Sequence, residues 1–188
     1  MPSTKPAPSA RQQELLERAY AYSLSHGLAD LSLRPLASAI ESSPRVLLFL
    51  FGSKDGLIRA LLARARVDEL ELLRQIESRY DEPPGLTVVA RELWTWLAEP
   101  ERRPLMKFWV EAYGRSLVAP DGPWADYGRS TVEDWLELLK ASQPDPGSPA
   151  AEARRTGVLA MLRGALIDLL ATEDLDRTTA AVEDYLRG

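Results

Sequence analysis

The chain has 188 residues, 45% hydrophobic and 27% charged, which is enough for one domain or two small ones with a sizeable core and too apolar for a disordered tail. It holds no cysteine and a single histidine, His26, which excludes a disulfide scaffold, a thiolate zinc site, a cysteine nucleophile and a histidine metal cluster. The net charge of −5 argues against a general nucleic-acid binder, but its sign is uneven: residues 1–66 hold nine Lys and Arg against five Asp and Glu, and residues 67–188 hold fourteen against twenty-three.

Apolar residues recur at spacings of three and four with no sustained alternation, which predicts an all-α chain of about nine helices. Residues 1–9 carry three prolines and read as a flexible tail, with Ser9 as the cap of a first helix over 10–26 and Gly27 as its left-handed stop. Ser32 is the natural cap of a short helix over 33–40. Glu41 and Ser42 make the turn. Ser43 then caps a third helix, which has Pro44 at its first position and ends at Gly52. A long fourth helix starts at Ser53 and reaches about Ser78, before the break at Asp81-Glu82-Pro83-Pro84-Gly85. Five more are predicted over 86–98, 101–118, 123–141, 150–171 and 174–187, with the proline-rich stretch 142–149 as the longest loop. The longest apolar run, Val46 to Phe51, is six residues, so no membrane span is expected. Residues 1–10 have no apolar stretch of a signal peptide, and the cytoplasm is the expected compartment.

The first three helices are the informative part. Helices over 33–40 and 44–51, joined by a turn of about three residues, have the spacing of a helix-turn-helix, whose second helix enters the DNA major groove with its N-terminal residues nearest the bases. Leu36, Ala37, Ile40, Leu47 and Phe51 can form its inner face, closed by Leu15, Ala19 and Leu28. The stretches Leu15-Leu16-Glu17-Arg18-Ala19, His26-Gly27-Leu28, Leu31-Ser32-Leu33-Arg34-Pro35-Leu36-Ala37, Ser43-Pro44-Arg45 and Phe51-Gly52-Ser53-Lys54-Asp55-Gly56-Leu57 together resemble the N-terminal domain of the tetracycline-repressor (TetR) family of transcriptional regulators. The likeness covers about residues 11–62. It implies a DNA-binding domain over 10–53 and a helical ligand-binding and dimerisation domain over 54–188.

The same resemblance implies roles for matching positions. Ser32 and Arg34 stand where family members touch phosphate, Ser43, Pro44 and Arg45 open the recognition helix, and Lys54 matches a lysine that approaches the DNA backbone. The chemistry agrees, because helix N-termini favour anions and an arginine fork can read guanine bidentately. Two departures stand out. Glu41 and Ser42 occupy a turn where the family usually has glycine and a small apolar residue. Val46, Leu48, Phe49 and Leu50 replace the usual polar and aromatic recognition residues. Phe49 can touch thymine methyl groups but cannot bond to phosphate.

All five tryptophans lie after residue 86. Aromatic stripes at helical spacing read first as core; the functional reading is an apolar pocket lined by Trp94, Phe108, Trp109, Tyr113 and Trp135, with Glu111 or Arg91 as a polar anchor. Near the C-terminus, Leu159, Leu162, Gly164, Leu166 and Leu170 on one helix, with Val182 and Leu186 on the next, read as a homodimer surface, which the resemblance also implies. His26, at a helix end, reads as a dipole partner rather than a base. Glu92, Glu111 and Asp168 are not paired as an acid–base set, so no catalytic residue, metal site or cofactor is expected. The expected function is a ligand-responsive transcriptional regulator, a repressor, that binds a palindromic double-stranded DNA operator as a homodimer and responds to a small apolar or aromatic ligand. The alternative is a TetR-like ligand- or partner-binding dimer whose head has weakened or lost sequence-specific DNA binding.

Overall fold

The computed structural model describes residues 9–28 and 31–188. Apart from Ser9, the expected tail lies outside the described residues. Among them the regular structure is helical: α1 Ala10–His26, α2 Leu33–Ala39, α3 Pro44–Phe51, α4 Lys54–Glu77, α5 Leu86–Ala98, α6 Arg103–Val118, α7 Tyr127–Ala141, α8 Pro149–Thr172 and α9 Leu175–Arg187.

Of the predicted caps, the side chains of Ser9, Ser43 and Ser53 accept from the backbone N–H groups of Gln12, Val46 and Gly56, each satisfying a donor that the helix start leaves open, while Ser32 makes no such bond. Ser148, not predicted as a cap, accepts from Ala151 in the same way. Gly27 and Gly52 close α1 and α3 at a φ of 78°, in the left-handed region that suits glycine. Two starts differ from the sequence reading. Residues 100–102 form a single 3₁₀ turn ahead of α6. The helix predicted from 123 begins at Tyr127, because Asp126 takes a left-handed φ of 61° and the turn before it buries Trp124.

One core runs without interruption from the head into the body. Leu15, Ala19, Leu36, Ala37 and Leu47 close the trihelical head, and Leu57 and Leu61 carry the same apolar stripe down α4 to Ile76. In the body α4, α5, α6, α7 and α8 pack around Leu93, Met106, Leu139 and Leu162, with α9 laid against α5 and α8. Between α3 and α4 the backbone approach is so tight that a Cβ on Gly56 would stand 2.0 Å from the carbonyl oxygen of Phe51. No helix among the described residues is long and apolar enough to cross a membrane.

Candidate functional site

Two regions have functional geometry, and the head is the first. Arg34, Arg45 and Lys54 lie in the opening turns of α2, α3 and α4, all exposed and without an ion-pair partner among the described residues. Ser32 precedes α2 and is exposed; unlike the other serine caps it makes no side-chain cap bond, so its hydroxyl is open to an outside acceptor. Ser43 and Pro44 are half-buried and fix the start of α3. On α3, Leu47 is the buried anchor, and Arg45, Leu48 and Phe49 share the opposite, exposed side. Phe49 is 85% exposed, the most open large apolar side chain described.

Glu41 takes a φ of 54°, where glycine would be relaxed and a side chain is strained. Its carboxylate is largely exposed but paired. Arg18 of α1 holds it at 3.2 Å and also donates to the Ile40 carbonyl, drawing the negative charge toward α1. His26 sits at the end of α1, its ring stacked on Tyr22 and its Nδ1 within 2.9 Å of the Tyr22 carbonyl, as a local helix-end contact requires.

The second region is a cavity of about 130 Å³ in the body, bounded by α4, α5, α6, α7 and α8. Its walls are mostly apolar. Trp109 of α6 meets Trp135 of α7 edge to face, with ring centroids 6.3 Å apart, and stacks on Trp96 from the other side. Trp109, Tyr113 and Trp135 line the cavity together. Trp94, Phe108 and Glu111 do not. Trp94 donates to the Thr179 hydroxyl at 3.0 Å and ties α5 to α9. Phe108 lies on the other side of α6, its ring edge to face with Tyr20 of the head. Glu111 accepts from the Leu28 backbone N–H at 2.8 Å and anchors the end of the first helical segment to α6.

Sequence reasoning missed three polar residues of the cavity, Glu69, Thr131 and Arg163. Glu69 is 1% exposed; one carboxylate oxygen accepts from the Trp135 indole at 2.5 Å and the other has no hydrogen-bond partner. Trp109 Nε1, Thr131 Oγ1 and an Arg163 guanidinium nitrogen are likewise buried without a partner. Four buried polar atoms on residues around this apolar cavity thus lack a partner, each at a cost of ~1–3 kcal/mol unless something bonds to it.

Burial drives the Glu69 carboxyl above its ordinary range, against the pull of Trp135 and Arg66. Arg66 and Asp134 pair beside it, and Arg163 and Tyr127 face it from α8 and α7. The folded chain therefore binds the Glu69 proton more tightly than the unfolded chain, and stability falls as pH rises from the ordinary value of 4.5 through the raised one. Glu69→Gln keeps an acceptor for Trp135 and cannot ionise. In melting curves at pH 5 and pH 8 the variant is expected to gain on the wild type at the higher pH; an equal offset at both would refute this origin.

The dimer surface read from the sequence needs correction. Leu159, Leu162, Leu166 and Val182 are buried inside their own chain, the first three as cavity wall, so they cannot face a partner. Leu170 and Leu186 are half-buried against the same core, and only Gly164 lies in the open. The exposed side of α8 instead runs through Ala153, Ala160, Gly164, Ile167 and Ala171, beside half-buried Gly157, and Tyr185 of α9 closes over Gly157. Elsewhere in the body, Glu92 is engaged by Arg79 and Asp168 by Arg177.

No family model matches the sequence, and no curated protein matches it either. Solved structures do match. A TetR transcription regulator from Haloarcula marismortui superposes with a TM-score of 0.73 at 19% identity, covering 94% of this chain and 96% of its own. A putative TetR-family transcriptional regulator from Rhodococcus sp. gives 0.71 at 15% identity, covering 95% and 98%. The multidrug binding protein EbrR, complexed with imidazole, gives 0.67 at 20% identity, covering 97% and 94%. The helix-turn-helix head and the helical body with its cavity thus form, over almost the whole chain, the fold of TetR-family transcriptional regulators.

Proposed function

We propose that the protein is a cytoplasmic, non-enzymatic transcriptional regulator, a repressor, that binds a palindromic DNA operator as a homodimer and releases it in response to a small ligand in the body cavity. One observation carries the DNA part. Three successive helices of the head each open on an exposed cation with no ion-pair partner among the described residues, Arg34, Arg45 and Lys54, and the helix dipoles add positive charge at the same places. Dimerisation through the small-residue side of α8 together with α9 would cover an exposed face on which Ala160, Gly164 and Ile167 stand open. An isologous pair would set two heads on successive major grooves, about 34 Å apart.

The test is binding to duplexes selected from a random pool, followed by fluorescence anisotropy across a salt series. Three cations per head in a dimer predict a slope of about −5 in log K against log salt. A flat response would remove the DNA reading. It would favour the second one, a dimer whose head meets a protein or has lost sequence selection. Exposed Val46 and Leu48 beside Phe49 are the observation on that side.

A further inference from the structure

We infer that the head recognises its operator through C5-methyl groups in the major groove, read by Phe49 with Leu48 beside it, and so treats thymine and 5-methylcytosine alike. The inference rests on the DNA-binding reading above and deepens it from charge to base identity.

The observation is an apolar patch on the outward side of α3. Phe49 is 85% exposed, Leu48 41% and Val46 39%, while Leu47 is the buried anchor. Packing of the head accounts for Leu47 and gives no reason for a phenyl ring in water two residues later. Three such side chains on a helix of eight residues are a contiguous surface rather than a scatter.

Charge decides what covers that surface. Arg45 stands one helical turn before Phe49 on the same side, and Arg34 and Lys54 open the helices before and after α3. Of the described carboxylates in residues 9–58, Glu14, Glu17 and Glu41 are each held by an arginine, which leaves Asp55 beside Lys54. An apolar centre within a cationic rim fits a polyanion that displays apolar groups between its charges. The helix-turn-helix spacing of α2 and α3 makes that polyanion duplex DNA rather than an acidic protein.

The major groove offers these side chains one group to read. Valine, leucine and phenylalanine have no donor or acceptor, so the apolar feature that distinguishes base pairs for them is the methyl on C5 of thymine. In 5-methylcytosine the same methyl stands at the same ring position. The exchange of thymine O4 for the cytosine amine alters hydrogen-bonding groups that these side chains cannot use. Arg45 and Phe49 are ~6 Å apart along the helix axis, so the methyl lies within about two base pairs of a guanine read by Arg45.

The test uses the full-length protein and the duplex selected from the random pool. That duplex is resynthesised with deoxyuridine for thymine, one position at a time, and then with cytosine or 5-methylcytosine at the sensitive position. Thymine against deoxyuridine, and 5-methylcytosine against cytosine, each differ by one methyl group. In anisotropy titrations, loss of the methyl is expected to weaken binding about fourfold, the worth of one buried methyl, and more than tenfold when both half-sites are changed. 5-Methylcytosine is expected to bind about fourfold tighter than cytosine at the same place. Phe49→Ala should bind the thymine and deoxyuridine duplexes equally, and Phe49→Leu should keep part of the difference; circular dichroism confirms that both are folded. A selected half-site with no methyl-sensitive thymine would overturn the inference and leave DNA binding in place. A methyl preference that persists in Phe49→Ala and Leu48→Ala would overturn it too, because the methyl would then act through DNA shape. Equal binding of cytosine and 5-methylcytosine would refute the shared reading of the two bases. Absence of binding to any duplex at low salt would remove the DNA reading and this inference together, and leave the patch to a protein partner.

Discussion

Gly56→Ala is expected to destabilise the protein by about 3 kcal/mol, although glycine to alanine inside a helix ordinarily stabilises by ~1 kcal/mol. The sign reverses because the new methyl carbon would stand 2.0 Å from the Phe51 carbonyl oxygen, and the obstacle is backbone rather than a side chain that can swing away. Relief requires the end of α3 to separate from the start of α4, which breaks the packing of Leu47 and Leu57 at the centre of the head. Urea denaturation monitored by circular dichroism measures the loss. A variant as stable as the wild type, or more so, would mean that the two helices part without cost. The head suffers first, so DNA affinity should fall even at temperatures where most of the body remains folded.

Arg45→Ala is expected to weaken operator binding by ~1–3 kcal/mol for each head and to relax discrimination at one base pair of each half-site. Arg45 is the one exposed side chain on α3 that can bond to a base edge, since its exposed neighbours Val46, Leu48 and Phe49 carry no donor. Lys54→Ala makes the instructive contrast. A lysine at a helix N-terminus meets phosphate, so its loss should weaken all duplexes alike and reduce the salt slope by about one per head. Anisotropy titrations with the selected duplex and with single-base variants of it separate the two patterns. If Arg45→Ala lowered affinity for every sequence equally, the recognition helix would be reading no base through it, and selectivity would have to come from Phe49 on thymine methyls or from DNA shape.

The head was legible because its signals are local. Each helix start from α1 to α4 has a serine before it, and the ends of α1 and α3 have glycines, so boundaries followed from caps alone. The inward side of α8 was not legible, for a physical reason. That helix has apolar or small residues almost all round, and periodicity cannot say whether Leu159, Leu162 and Leu166 or Ala160, Gly164 and Ile167 face the core; only the packing of α5, α6 and α7 decides. The cavity was half legible. Its aromatics follow a helical stripe, but Phe108 and Trp109 are neighbours on α6, about 100° apart round the helix, and meet Tyr20 and the cavity respectively. Glu69 did leave a trace. It falls on the α4 stripe Ile58, Leu62, Ala65, Leu72 and Ile76, where a carboxylate interrupts an otherwise apolar face.

That division of α6 has a thermodynamic corollary. Trp109 and Tyr113 touch the chamber, while Phe108 and Glu111, within the same turn and a half, hold Tyr20 and the Leu28 amide at the head. A helix is stiff over so short a span, so a small roll about its axis is felt on both sides at once. In the function proposed above, a compound that prefers one roll angle would loosen or tighten the grip on DNA, and linkage would require DNA to change the affinity for that compound by the same factor. Measuring a small molecule's dissociation constant with and without operator present would then give the strength of induction without a transcription assay.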